Sequence, residues 1–458
     1  MKMRFRPEIL ATRFGYGLPL PGGAPTSPED MLARLSEPDH AQLARPLPLM
    51  ADHLPLIQKA FTLRQAEQKS TVDLGFKAAT QALDRQMVLA VRVTVARALD
   101  APDGFRERLA AFWTNHFCTM AKDKPSTYLP ALMVEEAIRP NLTGRFADLL
   151  IAATSHPAMV LYLDQNTSYG PHAPEAKKRK LGLNENLGRE VMELHSLGVA
   201  AKYTQDDVRQ MALLLTGLTF TPMTGATFDQ GRVEPGPKTV LGKTYDGGGL
   251  AAIHAVLTDL AARPETARHI STKLARHFIA EIPPQPLVDA MTKTYLDTGG
   301  DLQSVYEVLL TRPAAAVAPL GKVRWPNDYI VTAFRALGLT GDDLMAMGDG
   351  PFRRTVMKSV AAMGMPWFRP SGPNGFSEEP DAWINPPFLA ARIAWSMTVP
   401  SGVLGTKTAM APALDPQGLL NLVLGDRVSP PLRQAVSRAE SRLQALGLIL
   451  ASSEMNRR

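Results

Sequence analysis

Over most of the chain, apolar residues return every three or four positions, the spacing of helices that bury one face. Residues 63–99 form one long stretch of this kind, with Val88, Val91, Val95 and Leu99 on one side. Phe105, Leu109 and Phe112 continue it, and residues 253–260, 266–278, 286–298 and 302–310 repeat it with polar residues between. Residues 145–164 predict a helix interrupted at His156-Pro157. The period lapses twice. At 221–250 Gly and Pro abound, with Thr, Val and Tyr between them, which predicts a small irregular or β-hairpin insertion centred on 238–245. At 365–387 Trp367, Phe368, Phe376 and Trp383 lie among prolines, so this segment should wrap over the helical body, as a groove wall or as a cover for the core. Residues 414–458 read as a helical tail with a charged end. The expected fold is all-α, a multi-helix body forming one large domain over 1–458. Its sub-division would be an N-terminal half 1–220, the insertion 221–250 and a C-terminal half 251–458.

The stretch 183–220 is more polar than a core helix needs. At about 100° per residue, Leu187, Val191, Leu194 and Gly198 make a stripe for the core, with Asn186, Glu190 and Glu193 along its flank. His195 falls roughly 140° or more from either carboxylate, so it cannot share a metal with them from this helix. Thr204 reads as an N-cap with Asp207 at the third helical position. The helix it opens buries Val208, Met211, Leu215 and Leu218, and packs on the first as a hairpin.

Two readings of the first helix stay open. Glu185, Arg189 and Glu193 are opposite charges at i, i+4 spacing and could form a salt-bridge ladder inside a helix–helix network. Alternatively, Glu190 and Glu193, three apart, could share a divalent cation with a histidine from elsewhere. His116 is the first choice, because it lies in line with the apolar stripe of Phe105, Leu109 and Phe112. In that second reading the metal activates water, and Arg189 or Asn186 steadies an anionic substrate.

Composition narrows the field. Fifty basic against 44 acidic residues leave a net charge of +6 over 458 residues, thin support for a nucleic-acid partner. The four basic residues Lys177 to Lys180 are placed on a loop, and could attract an anionic partner. The single cysteine, Cys118, excludes an intramolecular disulfide and a cysteine-rich zinc site. Gly242-Lys-Thr lacks the glycine that a phosphate-binding loop needs upstream, which argues against nucleotide binding. No apolar run reaches the ~18 residues of a membrane span. The basic start has no apolar segment behind it, so the expected location is cytoplasmic, or periplasmic if the chain is exported with a signal-bearing partner.

Trp-Thr-Asn-His-Phe at 113–117, Leu-Tyr-Leu-Asp-Gln-Asn at 161–166, Asn-Glu-Asn-Leu-Gly-Arg-Glu-Val-Met-Glu-Leu-His-Ser-Leu-Gly at 184–198 and Tyr-Thr-Gln-Asp-Asp-Val at 203–208 carry a resemblance, joined by segments at 236–242, 322–326 and 370–383. With these, nearly the whole chain resembles the bacterial family called domain of unknown function 1800. The resemblance implies an all-α fold and draws attention to Asn184, His195, Asp164, Asn166 and Asp207, but it implies no particular reaction. It also implies a partner, because members often sit beside an exported alkaline-phosphatase-like family of unknown function numbered 1501. One departure concerns Val233, where many members carry histidine before a Glu-Pro-Gly or Asp-Pro-Gly turn. If that histidine belongs to a site, the site is lost or rearranged here. The expectation is a helical binding or assembly protein serving such a partner; the alternative is a metal-dependent hydrolase.

Overall fold

The stretch 63–99, expected as one helix, is two. Met50–Glu67 ends before a break, and α1 (Phe76–Asp100) begins after Gly75, whose φ of +98° is easy only for glycine. The computed structural model describes residues 6–18, 27–69, 74–179, 181–316, 320–404 and 415–458.

Among the described residues, two large hydrophobic clusters fill the interior beside a small one of Tyr169, Ala173 and Ala176, and α1 belongs to both large ones. Leu83, Ala90 and Val93 enter the first, while Val88, Val91, Val95 and Leu99 enter the second. Around the first lie α2 (Phe105–His116), α3 (Phe146–Ser155), α4 (Asn186–Glu190), α5 (Gln205–Leu214), α6 (Leu250–Ala261), α7 (Pro264–Phe278), α8 (Gln285–Asp297) and α9 (Leu302–Thr311). Around the second lie α10 (Pro326–Ala336), α11 (Pro386–Leu404), α12 (Pro416–Leu424), α13 (Pro430–Ser437) and α14 (Arg442–Ala451). The first cluster draws its residues from before residue 316, whereas the second takes Tyr16 and part of α1 together with residues 323–455. The expected tail is no tail, because Leu420, Leu446 and Ile449 are core residues and the terminal Arg458 is itself buried. Residue 414 lies outside the described residues.

The fold is thus mostly α, with two small antiparallel hairpins among the described residues. β1 (Leu218–Thr221) pairs with β2 (Ala226–Phe228), and β3 (Lys238–Val240) with β4 (Lys243–Tyr245), where the second hairpin was expected. The first was not foreseen. Leu215 and Leu218, expected on the buried face of α5, lie past its end, and Leu218 opens β1; both are buried all the same. Leu241 and Gly242 turn the second hairpin with φ of +51° and +79°, the signature of a two-residue type I′ turn. Asp207 supports it by accepting from the Leu241 N–H at 2.7 Å, while its other oxygen completes the capping box with Thr204.

Phe146–Ser155 and Pro157–Tyr162 are separated at His156 as expected. Among the described residues, no helix is long and apolar enough to cross a membrane. Between Ala362 and α11 the backbone is irregular apart from the 3-10 turn Pro380–Ala382.

Candidate functional site

α4 runs on into a wider turn, Val191–His195, of π type. Such a turn holds more residues than an α-turn, so the 100° spacing fails. Met192 and His195 are buried with Leu187 and Val191, whereas Leu194 is only half-buried. His195 therefore enters the core instead of lying on an opposite flank. Gly188 sets the distance to α5, because a Cβ there would sit 2.9 Å from the backbone nitrogen of Ala212.

The charges of this element largely meet one another. Arg189 reaches Glu185 and Glu193 at 3.4 Å each and donates to Gln205 Oε1 at 3.1 Å. Gln205 in turn donates to Glu185 at 2.8 Å, which ties α4 to the start of α5. Asn184 Oδ1 accepts from the Asn186 N–H at 2.9 Å, and the Asn186 side chain is exposed. Glu190 and Glu193 are half-buried together. Burial, then the Glu193 charge, pushes the Glu190 carboxyl above its ordinary range, with Arg189 opposing.

His116 occupies the apolar side of α2, as its spacing predicts, but its Nε2 donates to the His195 carbonyl at 3.2 Å. A carbonyl can only accept, so Nε2 carries the hydrogen, and burial keeps the ring neutral with Nδ1 unprotonated. Among the described residues, His116 Nδ1 and His195 Nδ1 are both buried without a hydrogen-bond partner. Among the described residues, no three His, Cys, Asp or Glu side chains are grouped so as to hold a metal ion. His116 thus does not complete a three-ligand set with Glu190 and Glu193.

What the structure does gather around His116 is basic. The ring centroids of His195 and His269 lie 6.1 and 6.3 Å away, and His269 donates from Nε2 to the Leu194 carbonyl at 3.1 Å. Burial, aided by the charge of Lys273, drives His195 down to about 3 and His269 to about 4; His116 falls well below its ordinary value for the same reasons. Lys273 itself is half-buried. Desolvation brings its amine down to about 8, with Cys118 and Glu378 working against the shift. An amine in that state can take or give a proton near neutrality. Burial pushes the Cys118 thiol up to about 12, and its Sγ lies 3.2 Å from the Pro373 carbonyl. A buried thiol held in that state is a poor nucleophile.

Sequence reading missed Lys273 and His269. The signal was present: His269, Lys273 and His277 recur every fourth residue on α7, but the apolar spacing of that helix already accounted for it. His277 faces Glu378 at 2.5 Å. Burial alone would raise the Glu378 carboxyl, but His277, Lys322 and Arg458 hold it well below the carboxylate range.

The other marked residues serve the backbone. Asp164 has φ of +57° and pairs with Lys122 rather than capping a helix with its side chain. The Asn166 carbonyl accepts from Arg232 at 2.5 Å. Val233 is buried, close to Gly217 and Gly248, and the neighbouring Glu234 accepts from His172 Nδ1 at 2.6 Å. Lys177, Lys178 and Arg179 end a short helix, Pro174–Arg179, not a loop; Lys180 lies outside the described residues.

Together these define a class: a large helical protein with a hairpin insertion and a buried histidine–lysine cluster beneath a polar, π-distorted helix. The chain belongs to the family described as Protein of unknown function (DUF1800), whose model matches residues 10–457. No curated protein and no solved structure matches the chain.

Proposed function

We propose that the chain is a helical binding and assembly protein, with an alkaline-phosphatase-like protein of the unknown-function 1501 family as its partner. The observation that supports this reading is how the polar residues of α4 are used. Arg189, Glu185, Glu193 and Gln205 hold each other across two helices, as a structural network does. The partner itself rests on the family resemblance.

A metal-dependent hydrolase is the second reading, favoured by one observation. Glu190 and Glu193 repel each other in a half-buried setting, and a divalent cation would relieve that repulsion. Its further ligands would have to be water or substrate.

Two measurements separate the readings. Elemental analysis of the purified chain should give no stoichiometric divalent metal, in the native protein or in a folded Glu190→Gln variant. About one metal per chain, lost in that variant, sinks the assembly reading in favour of the hydrolase. Co-expression with the phosphatase-like protein should give a complex in size-exclusion chromatography, and separate elution at micromolar concentrations rules that partner out.

A further inference from the structure

Where α1 and α2 pass between the two hydrophobic clusters they leave a cavity of ≈ 100 Å³, of the order of the ~150 Å³ apolar cavity that takes up benzene. Val95, Phe117, Trp325 and Val331 line it, and Trp367 and Phe368 from the irregular 363–385 segment close one side. That wall is tied to α2. Asn115 donates from Nδ2 to the Phe376 carbonyl at 3.0 Å and accepts from the Phe376 N–H at 2.7 Å. Gly375, with φ of +76°, passes so close that a Cβ would meet the Asn115 carbonyl oxygen at 2.5 Å.

One polar group on this wall is left over. Among the described residues, Nε1 of Trp367 is buried with no hydrogen-bond partner, an omission that is costly unless a ligand or water supplies an acceptor. Apolar side chains predominate in the lining, and Thr94, Arg97, Glu107, Asn115 and Arg139 also border the space; apolar walls with some polar groups are the usual make-up of a small-molecule site.

The same wall borders a second space. Pro130, Pro366, Trp367 and Phe368 also line an open cleft of ≈ 490 Å³ that adjoins the cavity. Lys122, Lys124, Arg353, Lys358 and Arg369 line this cleft, against Asp84 and Asp123. Lys122 and Arg353 are engaged by Asp164 and Asp84, and Asp123 by Arg64 at 2.8 Å. Among the described residues, no carboxylate pairs with Lys124, Lys358 or Arg369, so the cleft carries surplus positive charge at the edge of the apolar chamber.

We propose that cavity and cleft form one binding site for a small aromatic carboxylate, its ring in the chamber near the Trp367 indole and its carboxylate in the cleft among Lys124, Lys358 and Arg369. The ring size follows from the volume, the anionic head from the unpaired cations. Such a site uses none of the α4 residues and holds whether or not the chain has a protein partner.

Titration of the full-length protein with phenylacetate, followed by tryptophan fluorescence and calorimetry, tests this. Phenylacetate should bind at least tenfold more tightly than the neutral phenylacetamide. Ala111→Phe, which extends a ring into the chamber from a half-buried position, should weaken binding at least tenfold. Lys124→Glu with Lys358→Glu, both exposed, should do the same without moving the melting temperature. Because the charge variants leave the core untouched, they decide the question even if Ala111→Phe misfolds. No binding up to roughly 10 mM, which is weaker than any affinity worth ~3 kcal/mol, overturns the proposal. So does equal binding of the amide, or binding indifferent to the charge reversals.

Discussion

Lys273 and the three histidines near it make stability depend on pH in a defined direction. His195 at about 3 and His269 at about 4, against an ordinary 6.5, mean that the unfolded chain binds more protons than the folded one in acid. Stability from these groups is therefore full above pH 6.5 and is lost as the pH falls, at up to ~1.4 kcal/mol per pH unit for each. Urea unfolding from pH 7 to pH 4 should show this loss. Lys273, like the histidines, is a cation when protonated, and its shift has the same direction: lowered to about 8 from 10.5, it costs the fold stability increasingly as the pH falls from 10.5 to 8, and in full below that. Lys273→Met should raise the urea midpoint at pH 7 and flatten the acid loss, since its charge is what depresses the histidines further. Glu190 is the reverse case. A raised carboxyl penalises the fold above its titration range, so Glu190→Gln should stabilise at pH 7 by about 0.2–0.5 kcal/mol, the size of one like-charge pair on a helix. The gain should vanish below about pH 4.5. A chain holding a metal there would instead lose stability on the same substitution. From the sequence, Glu190, Glu193 and His116 were visible as candidates because carboxylates and a histidine stand out on apolar helices. Their failure to converge was not visible, since the acceptor of His116 is a backbone carbonyl some eighty residues away.

Elements were legible where local chemistry dictates them. The Thr204 cap, the His156-Pro157 break and the 238–245 hairpin all rest on residues that restrict their own backbone, and all were found. The π turn after α4 was not, because helical arithmetic assumes a constant period and nothing in Val-Met-Glu-Leu-His departs from helix propensity. The break at Gly75 was missed because apolar spacing resumes in register on both sides. Gly188 gives the sharpest element-level test. Alanine is the better helix former by about 1 kcal/mol, yet a Cβ at 2.9 Å from Ala212 N and 3.1 Å from its Cα meets backbone that cannot step aside. Gly188→Ala should therefore cost about 1–3 kcal/mol overall, measured as a lowered denaturation midpoint, and should loosen the Arg189–Gln205 link between α4 and α5.

At the scale of the whole molecule, charge is buried where the clusters meet. Arg97 on α1 donates to Glu135 at 2.6 and 3.0 Å, with both side chains almost wholly buried. Arg139 similarly joins Asp39 and Glu107. Arg97→Met should cost about 3–5 kcal/mol, because it leaves Glu135 charged and enclosed; replacing both partners by apolar residues should cost much less. Composition hinted at none of this, since a count of charges is silent on which are inside. The helical class was plain from the period alone, but the division of the core into two large clusters was not, because it depends on a helix that serves both sides. That helix, α1, has 25 residues and places alternate faces in two cores. Neither core can melt while the other keeps α1 in place without exposing half of its side chains. The chain should consequently unfold in one cooperative transition despite its length, and the central amides of α1 should be among the last to exchange with deuterated solvent, at a rate set by global opening rather than by local fraying.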